Sequence, residues 1–575
     1  MIKKFIKSYS FCFLAALLGL AGFLFIFGLE PLRITGDAWI LKGYGGDDIV
    51  QHYTGWMFFR NSPWSFPLGK ALDLGYPLGT NISYTDSLPI VSIFFKLFRN
   101  ILPKTFQFFG IYTALCFMLQ GIFSSALIYR FTGSKPFAAG GSLFFIFSTS
   151  FIERAFRQAA LDSHWILLAA LCLYFDSSKN QKKQLWGWIL VNCIALGIHP
   201  YLFPMVFSVF LCKEITTFQR SHSWKNFLKD FTICLSAVML WGLLIGVWNF
   251  STKIEPESGF GLYSLNLNGA INPQVKGIRL WSRFFKILPL FLEQQDDCYY
   301  LGAGIILGLI FCLLFWIFRS FFRKDTHTAL ENRSAERFSI NVISILSILL
   351  TVYALSNRIT WGNRSIFTVP LPQSWYRYLN IFRASGRFFF IPYYLIILFV
   401  AVNLWKIPHR KWIRFVLLIL FAGIQITDIF PGLNTIRKSF DHREEYPEIS
   451  QEWNIIAESH QKIMAFEPLT NRTLSFLIAK DRLKTNIENT APIHLKAYIT
   501  ETKPERDALF NRLLNGEELD PDTAYCITEE PFLYFQSQAE MDAFKQKLQE
   551  NYRNKADFQR IPIGTKNYLF LIPNP

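Results

Sequence analysis

The residues whose types and spacing suit chemistry begin with two adjacent carboxylates, Asp47 and Asp48. They lie in GGDDIVQHYTGWMFFRNSPWSFPLGKALDLGYPLGTNISYTDS, residues 45–87. One member of such a pair can take a proton while its neighbour raises its pKa, as a general base requires. Preceded by Gly45 and Gly46, the same acids also fit a turn and a helix N-cap, because Asp is a favoured cap. A cap can position a base, so the two readings coexist. Gln51 and His52 follow, with His52 four residues after Asp48 and therefore on the same side of a helix. As a metal site that pair alone is weak. Asp86, in Tyr-Thr-Asp-Ser ahead of an apolar run, is a third acid and a second cap candidate. The stretch is too polar for lipid and too rich in Trp, Phe and Pro for a solvated linker. It reads as an active-site loop lying against a membrane surface.

A second group places Glu153, Arg154, Arg157, Gln158, Asp162 and His164 between two apolar runs. Ionisable residues at that density beside membrane spans are expensive and usually functional, although Arg side chains also snorkel to the interface. His199 closes another apolar run in His-Pro-Tyr. Each lone His is more often structural than a ligand; His164 and His199 together on one outer face become candidate substrate contacts. The third group is Phe382-Arg383-Ala384-Ser385-Gly386-Arg387-Phe388. An Arg fork donates two parallel hydrogen bonds to phosphate. Two Arg four residues apart, with a Gly between them, suit a phosphate grip; an interfacial anchor is the plainer alternative.

The elements that must position these residues are membrane spans. Of 575 residues, 51% are hydrophobic and only 17% charged, where a soluble chain carries roughly a quarter. The apolar residues cluster in runs of spanning length. The net charge of +16 suits basic cytoplasmic loops facing anionic lipid better than nucleic acid. Apolar runs at 10–29, 104–130, 136–151, 163–176, 185–199, 200–217, 229–249, 300–318, 338–356, 388–404 and 412–429 suggest about eleven spans, with 88–102 as a re-entrant or interfacial helix. Every second connection is basic, which puts the N-terminus in the cytoplasm and the loops 30–103, 151–162, 250–299 and 357–387 outside. Two outer loops break the charge rule: 250–299 holds Lys253, Lys276, Arg279, Arg283 and Lys286, and 357–387 holds Arg358, Arg364, Arg377, Arg383 and Arg387. An anionic ligand would explain cations on the disfavoured side. Glu293, Asp296 and Asp297 read as a helix cap.

The expected fold is an α-helical polytopic membrane protein. Residues 1–431 form the transmembrane domain with its large first outer loop at 30–103, and 432–575 form a small extracytoplasmic α/β domain. In that tail, short β-like runs at 462–466, 524–528 and 568–572 alternate with polar helix-like stretches such as 539–550. Most of the nine cysteines sit in apolar runs as small hydrophobes; Cys298 and Cys526 are the pair outside lipid, and sequence does not say whether they meet. There is no phosphate-binding GxxxxGK[ST] and no dinucleotide GxGxxG. Acids that face outward need a donor delivered through the membrane, such as a polyprenyl-phosphate sugar.

The chain resembles a bacterial family of polytopic membrane proteins of unassigned function, related in layout to the GT-C glycosyltransferases. The matching stretches are GGDDIVQHYTGWMFFR, PWSFPLG, LGYPLGTNISYTDSLP, SHWILLAALCLYF, HPYLFPMV, GLYSLNLNGAINPQ, YLGAG and FRASGRFF. They reach to about residue 400. The resemblance implies a GT-C-like membrane fold, a lipid-phosphate sugar donor, and Asp47 or Asp48 as the base. The expected activity is sugar transfer at the outer face of the bacterial cytoplasmic membrane to a glycan, lipid or protein acceptor, with Gln51, His52, Asp86, Arg154, Arg157, His164, His199, Arg383 and Arg387 binding substrate or donor phosphate. The partners expected are this donor, the acceptor and membrane lipid, with no nucleic acid. No metal ligand is assigned, and a divalent-metal requirement is left open. A non-enzymatic lipid-glycan flippase and an envelope-glycan assembly factor are the alternatives.

Overall fold

The computed structural model describes the chain except residues 1, 44–46, 179, 249–258, 276–279, 292–293, 295–297, 323–330, 408–409, 441–448, 466–471, 488–502, 529–536, 564–565 and 575. Side chains are also left undescribed at 2–9, 47, 319–322, 331–336 and 528. The Gly45-Gly46 turn, the Asp47 side chain, Lys253, Lys276, Arg279, Glu293, Asp296 and Asp297 lie outside the described residues.

Among the described residues, six helices are long and apolar enough to cross a membrane: Ser10–Phe27, Phe109–Thr132, Trp224–Ile245, Arg337–Leu355, Ser385–Lys406 and Lys411–Phe440. Two shorter apolar helices, Ala159–Phe175 and Ala303–Phe318, accompany them. The protein is mostly helical with a small sheet, and its apolar helices point to a membrane protein. The runs expected at 185–199 and 200–217 form helices Gln181–Ile198 and Leu202–Ser221. The run at 136–151 is not one helix. It breaks into Lys135–Gly141, Leu143–Ile146 and Thr149–Arg154. Ser142 and Ser148 sit at the breaks, and their hydroxyls donate to the carbonyls of Ala139 at 2.6 Å and Phe145 at 2.8 Å. Such local side-chain bonds compete with the helical ladder.

The chain folds as two compact units that cut across its order. The first comprises Met1–Arg33, Phe108–Trp241 and Ser258–His442; the second comprises Ile34–Gln107, Gly242–Glu257 and Arg443–Pro575.

In the first unit, helix Ile2–Phe27 packs on Phe109–Thr132 with the backbones in contact. A Cβ on Gly19 would stand 2.1 Å from the Phe117 carbonyl oxygen, and one on Gly121 would stand 2.2 Å from that of Ala15. Small residues permit this approach where lipid offers no hydrophobic drive between helices. A second device is Asp428, fully buried on helix Lys411–Phe440. Its carboxylate accepts from the Ser282 hydroxyl, from Tyr300 Oη at 2.6 Å, from the Ala303 N–H at 2.8 Å and from the Phe284 N–H at 3.3 Å. It therefore caps the start of helix Ala303–Phe322 and pins the preceding loop, so a buried acidic side chain is matched by four donors. All nine cysteines are free.

The second unit is built on a five-stranded sheet with spatial order Lys484–Thr485, Lys462–Ala465, Thr523–Thr528, Lys566–Pro573, Ala556–Ile563. The first three strands are parallel and the last two join antiparallel. The three β-like runs of the tail fall on strands of this sheet. Helix Gln538–Asn551 lays Met541, Phe544 and Leu548 on its core, at the spacing of one helical face, and Ser537 caps it by accepting from the Glu540 N–H. Residues of the first loop complete the sheet edge. Thr485 receives a bridge from Leu74, donates its N–H to Asp73 O at 2.9 Å and accepts from the Tyr76 N–H at 2.8 Å. Helix Arg472–Lys480 packs on Asp47–Asn61, with Tyr53 stacked on Phe476 and Asn61 Nδ2 donating to Ala479 O at 2.7 Å. The 88–102 stretch contains helix Pro89–Lys96, and Phe94, Leu97, Phe98 and Ile101 are exposed.

Candidate functional site

In the first unit the arginines cluster. Helix Thr149–Arg154 stops where Phe156 takes a positive φ of 64°, and the turn brings Gln158 back beside Arg154. Arg154 Nη1 donates to Gln158 Oε1, and Arg387 Nη2 donates to the same oxygen at 3.0 Å. Two guanidinium groups thus meet on one neutral acceptor. Arg387 also lies over Tyr201, its Cζ 4.7 Å from the ring centroid, and Arg154 stands 5.9 Å from that of Phe390. Tyr201 is held in turn: its hydroxyl accepts the Ala384 N–H at 3.0 Å, and its own N–H donates to His199 Nδ1 at 3.1 Å. Arg383 lies over Tyr263, its Cζ 5.2 Å from the ring centroid. Arg157 forms an ion pair with Glu153, one helical turn earlier.

The structure brings Arg154, Arg387 and His199 together through Gln158 and Tyr201. His164 adjoins them on Phe390, with ring centroids 4.3 Å apart. Its Nδ1 is 2.6 Å from Tyr394 Oη. Arg157 is engaged by Glu153, and Arg383 lies over Tyr263.

Residues 16–430 match the family described as Domain of unknown function (DUF6311). The chain belongs to this family. No curated protein matches it. The DUF6311 span includes every site residue named here and stops short of the tail that forms the sheet.

The candidate acids Asp48 and Asp86 of the DUF6311 chain fall in its second unit. Asp48, Gln51 and His52 lie on helix Asp47–Asn61. Asp86 sits on a loop fastened to that helix: Ser87 Oγ donates to His52 O at 2.6 Å and is 2.7 Å from Thr85 Oγ1. Gly55 makes the fastening possible, since a Cβ there would stand 2.3 Å from Thr85 Oγ1. Asp86 is not the cap expected of it. Leu88 occupies that position ahead of Pro89, and both Asp86 and Leu88 adopt positive φ, 54° and 52°. Such conformations are uncommon for residues other than Gly and concentrate at functional loops. His52 is buried, and burial lowers its pKa to about 4; Asp48 opposes that shift and Arg472 adds to it. At neutral pH it is an uncharged imidazole.

The acids and the arginines therefore belong to different compact units. Among the described residues, no group of three His, Cys, Asp or Glu is placed to hold a metal ion. Sequence reading missed Tyr201, Tyr394 and Gln120, and it noted Gln158 without a role. Uncharged residues in apolar runs carry no charge-pattern signal. The one available sign was position, since Gln120 lies four residues after Cys116 and eight after Tyr112, a polar stripe on an otherwise apolar helix. Asp37 was missed as well; burial raises its pKa, and Tyr53 Oη approaches it at 3.4 Å.

Proposed function

We propose that this protein is a membrane-embedded glycosyltransferase that moves a sugar from a polyprenyl-phosphate donor to an envelope glycan, lipid or protein acceptor at the outer face of the cytoplasmic membrane. The proposal includes a GT-C-like arrangement of about eleven spans with a cytoplasmic N-terminus. The observation that carries it is the convergence of Arg154 and Arg387 on Gln158 Oε1. A phosphate oxygen offers such a pair the anionic acceptor that an amide cannot. The unit holding them contains apolar helices of spanning length, which suits a phosphate carried by a lipid.

In the proposed reaction the acceptor hydroxyl loses its proton to Asp48 or Asp47. Its oxygen attacks the anomeric carbon. The bond from that carbon to the phosphate oxygen breaks, and the electron pair leaves with the phosphate. Arg387, with Arg154, stabilises the charge as it develops. Sugar transfer from polyprenyl-phosphate sugars, measured for Asp47→Asn, Asp48→Asn, the double variant and Arg387→Ala, tests this. Loss of transfer in the double variant and in Arg387→Ala is expected. Full activity in the double variant overturns the assignment of the base, full activity in Arg387→Ala overturns the phosphate site, and no transfer by the wild type overturns the function.

A further inference from the structure

His164 is fully buried, and its ring can hold its proton on either nitrogen. The surroundings choose. Gln120 Nε2 lies 3.4 Å from the Phe145 carbonyl oxygen, which can only accept, so the amide nitrogen is the end that points there. The same nitrogen donates to Tyr394 Oη at 3.1 Å. With that lone pair occupied, the Tyr394 hydroxyl hydrogen is available to His164 Nδ1 at 2.6 Å. A neutral His164 that accepts at Nδ1 carries its proton on Nε2. That nitrogen is buried and has no hydrogen-bond partner among the described residues. A buried donor of this kind is costly unless something accepts from it. His164 shares Phe390 with Arg154.

We propose that Gln120 and Tyr394 are positioning residues that fix His164 as an Nε2–H donor, and that His164 is the third donor, with Arg154 and Arg387, to a lipid-linked phosphate. The second half rests on the phosphate reading above; the first half does not. Ser148 is the competing acceptor for the Tyr394 hydroxyl. Its own hydrogen goes to Phe145 O at 2.8 Å, leaving its lone pairs open. If Tyr394 donated there, His164 would have to donate from Nδ1, and the tautomer would be the opposite one.

The test is nitrogen NMR of the full chain in detergent micelles, with histidine ring nitrogens labelled and the His164 signals assigned by their loss in His164→Asn. The expected result is a single Nε2–H tautomer in the wild type. Tyr394→Phe keeps the ring that stacks on Phe145 at 5.7 Å, so it should fold, yet it should yield a mixture of tautomers. Dodecyl phosphate should move the His164 Nε2 signal of the wild type, and Tyr394→Phe should bind that probe about tenfold more weakly. A wild-type Nδ1–H tautomer, or an unchanged tautomer in Tyr394→Phe, overturns the relay. The expected tautomer with bound dodecyl phosphate and an unmoved His164 signal overturns the phosphate contact alone. No binding of dodecyl phosphate at all overturns both that contact and the phosphate reading, while the relay stands on the tautomer.

Discussion

Replacing Gln158 with Glu changes one atom group and reverses the electrostatics of the arginine pair. Gln158 Oε1 accepts from Arg154 Nη1 and from Arg387 Nη2, the latter at 3.0 Å. Both are hydrogen bonds from a cation to a neutral amide. In Gln158→Glu both become ionic, and each gains on the order of 1 kcal/mol. Arg387 is only partly buried, so solvent screening trims the total to about 1–2 kcal/mol. The variant should melt about 1–2 °C higher, because a chain of 575 residues shifts by roughly 1 °C per kcal/mol. Its effect on a phosphate ligand runs the other way. A carboxylate about 5 Å from a phosphate repels it by about 3 kcal/mol at an effective dielectric near 20, and the arginines are already engaged. Affinity for dodecyl phosphate should fall at least tenfold. The assay is a thermal-shift titration with dodecyl phosphate in detergent, on wild type, Gln158→Glu and Gln158→Leu. The Leu variant removes the acceptor without adding charge, so it should melt lower and bind phosphate at least as well as wild type. If Gln158→Glu binds within twofold of wild type and melts no higher, the arginine pair is not an anion site and the reasoning fails.

Three further perturbations follow from the same structure. His52 has an ordinary value of 6.5 that burial takes to about 4. The uncharged form is favoured in the fold, so its contribution is complete above 6.5 and is lost as pH falls through 4. On the order of 3 kcal/mol is at stake, and His52→Asn should flatten that part of the stability profile relative to wild type in acid melts. Asp428→Ala removes the acceptor of four donors around the start of helix Ala303–Phe322. It should destabilise the protein by about 3–5 kcal/mol in chemical unfolding, against about 1–2 kcal/mol for Tyr300→Phe. Equal effects would mean that the carboxylate is not the centre of that cluster. Gly55→Val drives side-chain atoms into Thr85 and Ser87. It should cost about 1–3 kcal/mol and raise protease cleavage near Asp86, whereas unchanged cleavage would show that the loop is not fastened there.

The membrane character was legible because it is written in composition and run length, which act locally. Runs at 104–130, 388–404 and 412–429 fall on helices long and apolar enough to span a membrane. The run at 136–151 reads the same way in sequence and is broken into three short helices, with Ser142 and Ser148 at the breaks. Arg154 and Arg387 were legible as candidates because charge in the wrong place is visible in a linear chain. Their shared acceptor was not, because residues 158 and 387 lie 229 positions apart and Gln158 has no charge to attract notice.

The sequence alone determined that this is a helical chain built around long apolar segments, that its first polar loop is acidic and aromatic, and that basic residues stand beside several helix ends. Those properties need only neighbours along the chain. Tertiary structure decided which of the candidates meet. It joined Arg154 to Arg387 through Gln158, tied His164 to Tyr394 and Gln120, and put the loop acids in one compact unit with the C-terminal sheet. Directional hydrogen bonds between uncharged residues on different helices leave almost no trace in composition or periodicity, and only the packed backbone brings them within bonding distance.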